Sequence, residues 1–421
     1  MGRTIIEKII QAHTADEVSP GKTVWIDLDL RTARDFGGPN VVKNYEREYA
    51  GLPLADPAKT FFTFDLCAPA CTLRYADNQQ VCRDFAKRNG VVVFDVDRGV
   101  GTHVLIEEGL ARPNSTVVGT DSHMNILGAV GSFGQGMGDV DITFAFRTGR
   151  TWFEVPETVK VVLKGTVPER TPHLSTCAKD LTLYLLKELG TKKIALRSAE
   201  FYGPAVASLS LAGRLTLCSM VTEMAGIIGF IPECGEEAKK EMEAYSGRPY
   251  APFAADAEAS YADVIEVNVQ DLPPQIAAPP SPTNVKPALE LRGTRIDSGF
   301  IGSCTNGRTE DFAEAARILK GRRVRDGVML KVVPATRRVY AELLRRGIIQ
   351  DLFESGAVIV NPGCGGCAEG HVGLTGKGEI QLSTGNRNFP GKQGKGLTYL
   401  ASPAVVAASC VLGEIASPED L

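Results

Sequence analysis

Short apolar, β-rich runs recur along this chain, and residues able to do chemistry stand immediately after them. Phe61-Phe62-Thr63-Phe64 leads into Asp65, Val91-Val92-Val93-Phe94 leads through a glycine-bearing loop to His103, and Thr116-Val117-Val118 leads to Asp121-Ser122-His123. Phe300-Ile301 precedes Cys304, and Ala357-Val358-Ile359-Val360 precedes Cys364 and Cys367. Between the runs, apolar residues return at helical spacing, as at Phe312, Ala315, Ala316 and Leu319 before Gly321. Strand and helix in alternation specify α/β architecture with parallel sheets. A parallel sheet presents the carboxyl ends of its strands as a ligand crevice, so these strand ends are the place to expect a site.

At 421 residues the chain exceeds the usual size of one domain. The stretch from Asp271 to Pro287 is rich in proline, alanine and serine, lacks apolar periodicity and reads as an extended linker. It divides an α/β unit at 1–155 and another at 156–270 from a third at 288–421. In the third, Val328 to Val333 reads as a strand and Thr336 to Arg346 as a helix closed by Gly347, which makes a β-α-β-α-β unit. Lys plus Arg number 46 against 50 Asp plus Glu, a formal charge of −4 without a basic block, so nucleic-acid and membrane-surface binding have no electrostatic support. The first residues lack an apolar signal core and no run reaches the length of a membrane span, which predicts a cytoplasmic chain with reduced thiols.

Three cysteines carry the most specific chemistry. Cys304 lies in Gly302-Ser303-Cys304-Thr305-Asn306-Gly307-Arg308, and Cys364 and Cys367 lie in Pro362-Gly363-Cys364-Gly365-Gly366-Cys367. Three thiolates are one short of a closed tetrahedral site, for zinc or for an ordinary iron-sulfur cluster, and leave one metal corner open to substrate. A C-x-x-C alone is more often half of a structural zinc site or a redox pair. The surrounding glycines and the separate loop of Cys304 favour a buried anionic cluster. The other seven cysteines read as small core or surface residues, with Cys67 and Cys71 noted as a pair that has no companion at metal-site spacing.

Among the histidines, His123 has Asp121 and Ser122 beside it to fix its tautomer. His13 reads as structural on the first helix, His173 as exposed in a polar loop, and His371 as close to Cys367 without an assignable role. Arg387, among Gly385, Asn386 and Asn388, suits a carboxylate held through two parallel hydrogen bonds. Glu223 by pattern alone is a solvated helical glutamate.

These motifs, with S-T-G-N-R-N-F-P-G-K-Q-G-K-G and Y-L-A-S-P-A-V-V-A-A-S, resemble the large subunit of the two-subunit aconitase-type hydro-lyases, in the 3-isopropylmalate dehydratase and homoaconitase branch. E-K-I-I-Q-A-H, K-T-V-W-I-D-L-D-L, V-V-G-T-D-S-H and G-A-V-G-S-F-G-Q-G-M-G-D-V-D extend the resemblance over essentially the whole chain. It implies three α/β domains around a central [4Fe-4S] cluster, held by Cys304, Cys364 and Cys367 with one iron not ligated by protein. It implies Asp65, His103, Asp121, His123 and Glu223 as catalytic groups, and Ser122, Ser219, Asn306, Asn386, Arg387 and Lys392 as substrate contacts. The substrate would be a small hydroxy di- or tricarboxylate, most simply 3-isopropylmalate, with homocitrate-type and dimethylmalate-type acids as alternatives. No G-S-S-R-E-H-like segment occurs, so a separate small swivel-domain subunit is expected to supply the serine base, in a heterodimer or heterotetramer. Two other classes compete: a cluster-sensing RNA-binding regulator, against which the charge argues, and a zinc or redox module, which leaves Cys304 unexplained.

The chain departs from its relatives at three places. Leu66 stands where the family has a histidine after the aspartate, Ser219 where it has an asparagine, and Lys392 where it has a second arginine. With the cluster loops intact, these changes point to an altered substrate pocket.

Overall fold

The computed structural model describes residues 2–166, 177–367 and 372–421. Its first sheet has five parallel strands in the order Val92–Phe94, Thr60–Thr63, Leu30–Arg34, Thr116–Gly119, Phe133–Gly136. The second has four, all parallel: Ile228–Phe230, Ser198–Tyr202, Thr158–Lys164, Asp263–Asn268. The third has seven, of which Leu397–Leu400, Ile380–Ser383, Ser298–Gly302, Met329–Val333 and Val358–Ile359 run parallel. A two-stranded antiparallel ribbon pairs Thr23–Asp27 with Arg150–Glu154. The strand runs are apolar without alternation because both faces are covered: all four residues of Thr60–Thr63 and of Thr116–Gly119 are buried.

Helices start where local chemistry allows. Thr336 accepts the N–H of Val339 at 3.2 Å and opens Arg337–Arg345, as its spacing predicts. Ser402 and Pro403 open Pro403–Leu412, whose residues Pro403 to Cys410 are all buried. A helix apolar on every side must be wrapped by protein, and this one packs on Thr309–Leu319 and on the strand Ser298–Gly302.

Residues 271–287 differ from the expected extended linker. Gln275–Ala277 and Val285–Pro287 pair antiparallel and join the third sheet beside Leu400. Pro279, Pro280 and Pro282 occupy the turn between them, where no ladder N–H is needed, so proline richness and strand formation coexist. The Asp180 carboxylate accepts the N–H of Gln275 at 2.7 Å and fastens this edge to the helix Ala178–Leu189.

The three larger sheets meet in one core, in which Leu30, Val117, Leu163, Leu215, Ala335 and Leu400 belong to a single buried apolar cluster. Arg308, from the first cysteine motif, adds a polar clamp. Its guanidinium pairs with the buried Glu107, and donates to Glu241 at 3.0 Å and to the Tyr245 hydroxyl at 2.9 Å. Thr336 donates to the same Glu107 at 3.0 Å. Among the described residues no helix is long and apolar enough to cross a membrane.

Arg308→Met should destabilise the protein by about 3–5 kcal/mol, because it leaves Glu107 buried and unpaired. Arg308→Met/Glu107→Gln should recover part of that loss in urea unfolding; an equal loss in the double variant would locate the cost elsewhere.

Candidate active site

The carboxyl ends of the first and third sheets face one another, and their loops build one polar centre. Strand Leu30–Arg34 ends in Arg34 and Asp35, Thr60–Thr63 is followed by Asp65, and Thr116–Gly119 by Asp121, Ser122 and His123. His103 stands on Gly101–Glu107, after Val92–Phe94.

Arg34 organises this side. Its Nε donates to Asp65 Oδ1 at 2.7 Å and its Nη1 lies 3.1 Å from Asp121 Oδ1. Asp65 also accepts the N–H of Gly101 at 2.7 Å. Two buried carboxylates thus share one guanidinium, and they separate. Burial pushes Asp65 up to about 8 despite the pull of Arg34, with Cys364 and Asp121 adding to the rise. Burial opposes the charge on Asp121 too, but Arg34, His123 and the His123 N–H outweigh it and hold this carboxyl below its ordinary value. Asp35 shapes the loop from beneath, accepting the N–H groups of Leu66 and Cys67 at 3.1 Å each and Gln79 Nε2 at 3.1 Å.

His103 Nε2 lies 2.9 Å from the Cys304 carbonyl, which can only accept, so Nε2 carries the proton and Nδ1 is bare. Burial and the nearby Arg308 depress this imidazole to about 3, and its Nδ1 is a buried acceptor without a partner among the described residues. His123 is held by a different set. Its Nδ1 is 3.3 Å from Ser122 Oγ, and its Nε2 is 3.1 Å from Glu223 Oε1 and 2.9 Å from Asn386 Nδ2. Glu223 Oε1 also accepts Arg387 Nε at 2.8 Å, and Arg387 Nη1 reaches Ser122 Oγ at 3.3 Å. Glu223, ambiguous by pattern, is therefore a nearly enclosed carboxylate between a histidine and an arginine.

The third sheet brings the cysteines. After Ser298–Gly302 the chain turns sharply: a Cβ at Gly302, with φ +145°, would stand 2.1 Å from the Val333 carbonyl oxygen, and Ser303 has φ +71°. Cys364 donates its N–H to the Asp65 carbonyl at 2.8 Å. The next residue, Gly365, passes so close to Phe300 that a Cβ there would meet the ring at 2.5 Å, which lays the second cysteine loop over the strand leading to the first. Cys304 and Cys364 are both buried, and Asn386 Nδ2 lies 3.6 Å from Cys304 Sγ. Burial, then the neighbouring Cys364, push the Cys304 thiol up to about 12, so a thiolate there calls for a bound cation. That donor chemistry fits a metal group. The Cys367 side chain, like His371 and His173, lies outside the described residues, among which no three metal-ligating side chains converge.

Other expected contacts fall at different depths. Ser219 is fully buried, 3.2 Å from Thr305 Oγ1, and Asn306 Nδ2 donates to Asp311 at 2.9 Å and to Thr216 at 3.3 Å, so both brace the Cys304 loop. Lys392 is half-buried and makes no ion pair among the described residues. His13 bonds Asp29 at 2.9 Å and takes no part in the centre.

Sequence reading missed Arg34, Asp35 and Lys179. Arg34 closes a strand and Asp35 follows it, much as Asp65 follows Thr60–Thr63, and that position was their signal. Lys179 had none: from the helix Ala178–Leu189 its ammonium donates to the carbonyls of Thr384 at 2.9 Å and Gly385 at 2.7 Å, fixing the turn that presents Asn386 and Arg387.

A model of the "Aconitase family (aconitate hydratase)" matches residues 7–413. The chain belongs to the aconitase family. A probable 3-isopropylmalate dehydratase large subunit of Methanothermobacter thermautotrophicus is 41% identical over 425 residues, covering 100% of each chain. A 3-isopropylmalate dehydratase large subunit of Desulfitobacterium hafniense is 39% identical over 426 residues, again covering 100% of each. A probable methanogen homoaconitase large subunit of the first organism is 38% identical, covering 98% of this chain and 97% of its own. Aconitase X of Thermococcus kodakaraensis shares the fold at a TM-score of 0.53 and 13% identity, covering 86% of this chain and 84% of its own.

Burial lowers Lys179 to about 8, against an ordinary 10.5. The unfolded chain therefore binds more protons between those two values, and stability should rise with pH across that window. Urea midpoints from pH 8 to 10.5 should climb more steeply for the native protein than for Lys179→Met; parallel slopes would remove Lys179 as the cause.

Proposed function

We propose that this chain is the large, cluster-bearing subunit of a cytoplasmic hydro-lyase acting on a small hydroxy dicarboxylate, most simply a 3-isopropylmalate dehydratase. The observation that carries the reading is the joined set Asp121–Arg34–Asp65 and Glu223–His123–Asn386 beside Cys304, in a chain 41% identical to a relative of that name. Three α/β units at 1–155, 156–270 and 288–421 would surround it. Cys304, Cys364 and Cys367 would hold a [4Fe-4S] cluster with one iron not ligated by protein, which when bound supplies a Lewis acid toward the substrate's hydroxyl and carboxylate.

The chain's own residues do the rest. Arg387, oriented by Glu223, clamps a substrate carboxylate, and Lys392 adds a second positive charge without Arg387's bidentate fork. His123 passes a proton between Glu223 and the departing hydroxyl. His103, kept neutral, offers its bare Nδ1 to a water or hydroxyl proton. Asp65, pushed up to about 8, retains a proton near neutrality, while Asp121 stays charged. Ser122 steadies both His123 and Arg387. A small subunit, implied by the relatives' description as large subunits, would bring the serine that removes the proton alpha to a carboxylate.

Leu66 bears on the substrate. It is 5% exposed and packs with Cys67, Tyr75 and Cys364, so an apolar wall adjoins a cluster cysteine. An alkyl substituent gains by packing there, whereas a third carboxylate would lie buried without a partner. The homoaconitase reading has the 38% relative in its favour and this wall against it.

Protein purified without oxygen should carry about four iron and four sulfide per chain. Cys304→Ser, Cys364→Ser or Cys367→Ser should remove its broad visible absorbance, and Cys82→Ser should leave it. One zinc per chain would refute the cluster assignment.

With the small subunit added, kcat/KM should be highest for isopropylmalate or dimethylmalate and low for citrate, and the chain alone should be inactive. Leu66→His should shift preference toward the more polar acid by about tenfold or more. Citrate as the best substrate of the unaltered pair would reject the apolar-wall argument.

A further inference from the structure

The pair Cys67 and Cys71, which the hydro-lyase reading does not use, lies with its sulfur atoms 3.4 Å apart. Cys67 is buried and Cys71 is exposed. The N–H of Cys71 points back at the partner, donating to Cys67 Sγ at 3.2 Å. A pair of core cysteines would both be enclosed, and two surface cysteines would both be wet. One inside and one outside, in contact, is the arrangement of a resolving thiol and an attacking thiol.

The loop around the pair is pinned unevenly. Asp35 accepts the N–H groups of Leu66 and Cys67 at 3.1 Å each, Gln79 Nε2 donates to the Cys67 carbonyl at 2.8 Å, and Asn361 Nδ2 to the Ala68 carbonyl at 3.0 Å. Two further contacts tie the loop to the candidate active site. Asp65 carries the carbonyl that holds the N–H of Cys364 at 2.8 Å, and Leu66 and Cys67 share a small buried cluster with Cys364. Any approach of the two sulfur atoms to bonding distance, about 2.05 Å, must then be made from the Cys71 side, in the stretch between Ala68 and Thr72, whose side chain caps the helix Leu73–Asn89.

We propose that Cys67 and Cys71 form a redox-modification site: a low-molecular-weight disulfide converts them to an intrachain disulfide, which slows the adjacent active site. In the first step the Cys71 thiolate, its proton released to water, attacks one sulfur of RSSR. The S–S bond breaks, Cys71–S–SR forms, and RS⁻ leaves and takes up a proton. In the second, the sulfur of Cys67 loses its proton and attacks Cys71 Sγ, forming the Cys67–Cys71 bond and displacing the second RS⁻, which is likewise protonated. Two protein thiols are oxidised, one RSSR is reduced to two RSH, and no oxygen is consumed. The oxidised loop draws Cys71 inward beside Leu66, at the wall the substrate passes.

The turnover arm of the test rests on the hydro-lyase reading and the cross-link arm does not. The cluster-loaded protein with its small subunit is incubated without oxygen in oxidised glutathione, digested without reduction and mapped by peptide mass. The native protein should show the Cys67–Cys71 link, unchanged iron content and visible absorbance, and a several-fold fall in kcat/KM that dithiothreitol reverses. Cys71→Ser should form no link and keep its rate under the same treatment, and Cys234→Ser should behave as the native protein. Absence of the link, a link with unchanged kcat/KM, or equal inactivation of Cys71→Ser would each overturn the proposal. A reduced enzyme inactive on every hydroxy acid would instead count against the hydro-lyase reading, with the peptide map still deciding the redox site.

Discussion

Arg308 has almost no access to water, yet it carries a full charge, and the way that charge is met holds the molecule in register. Its partners come from the helix Gly101–Glu107 within the first α/β unit, through Glu107, and from the helix Glu236–Ser246, through Glu241 and Tyr245. The arginine itself is only four residues from Cys304. Ion pairs of this kind add little net stability, but breaking one costs several kcal/mol, so they penalise any other relative placement of the elements they join. The cysteine loop cannot drift from His103 without exposing that penalty, because His103 and Glu107 stand on one short helix.

The first and third sheets repeat one wiring. Among the five parallel strands of each, the first is central, the next two are added on one side and the last two on the other: Leu30–Arg34 with Thr116–Gly119 beside it, and Ser298–Gly302 with Ile380–Ser383 beside it. The point where strand order reverses is where a parallel sheet opens a crevice. Arg34 and Asp121 flank that point in one sheet, and Cys304 and Asn386 flank it in the other. The acid–base groups and the thiols are thus supplied by equivalent positions of two similar frames turned toward each other.

This explains which parts were legible in the sequence. Asp65, His103, Asp121 and both cysteine loops could be read because each follows its own strand, a local pattern that needs no knowledge of the partner. The helix Arg337–Arg345 was legible for the same reason, through its cap and closing glycine. Lys179 was not, since its partners, the carbonyls of Thr384 and Gly385, lie about two hundred positions away and are backbone atoms with no side-chain signature. The strands Gln275–Ala277 and Val285–Pro287 were masked by prolines that sit in the turn. Ser219 and Asn306 were found as residues, but their hydrogen bonds turn them toward Thr305 and Asp311.

The parallel wiring also sets the local field. Helices that follow these strands begin at the crevice: Gly38–Glu48 after Arg34, Leu73–Asn89 after Asp65, Thr309–Leu319 after Cys304 and Arg337–Arg345 after Val333. Two of their amino ends are capped, by Thr72 and Thr336, and all carry the partial positive charge of a helix start toward the strand ends. The chain as a whole is negative, at −4, and at a distance would repel a dianion. Within the crevice the helix starts set partial positive charge against that sign, so the backbone adds to what Arg34 and Arg387 offer an anionic ligand.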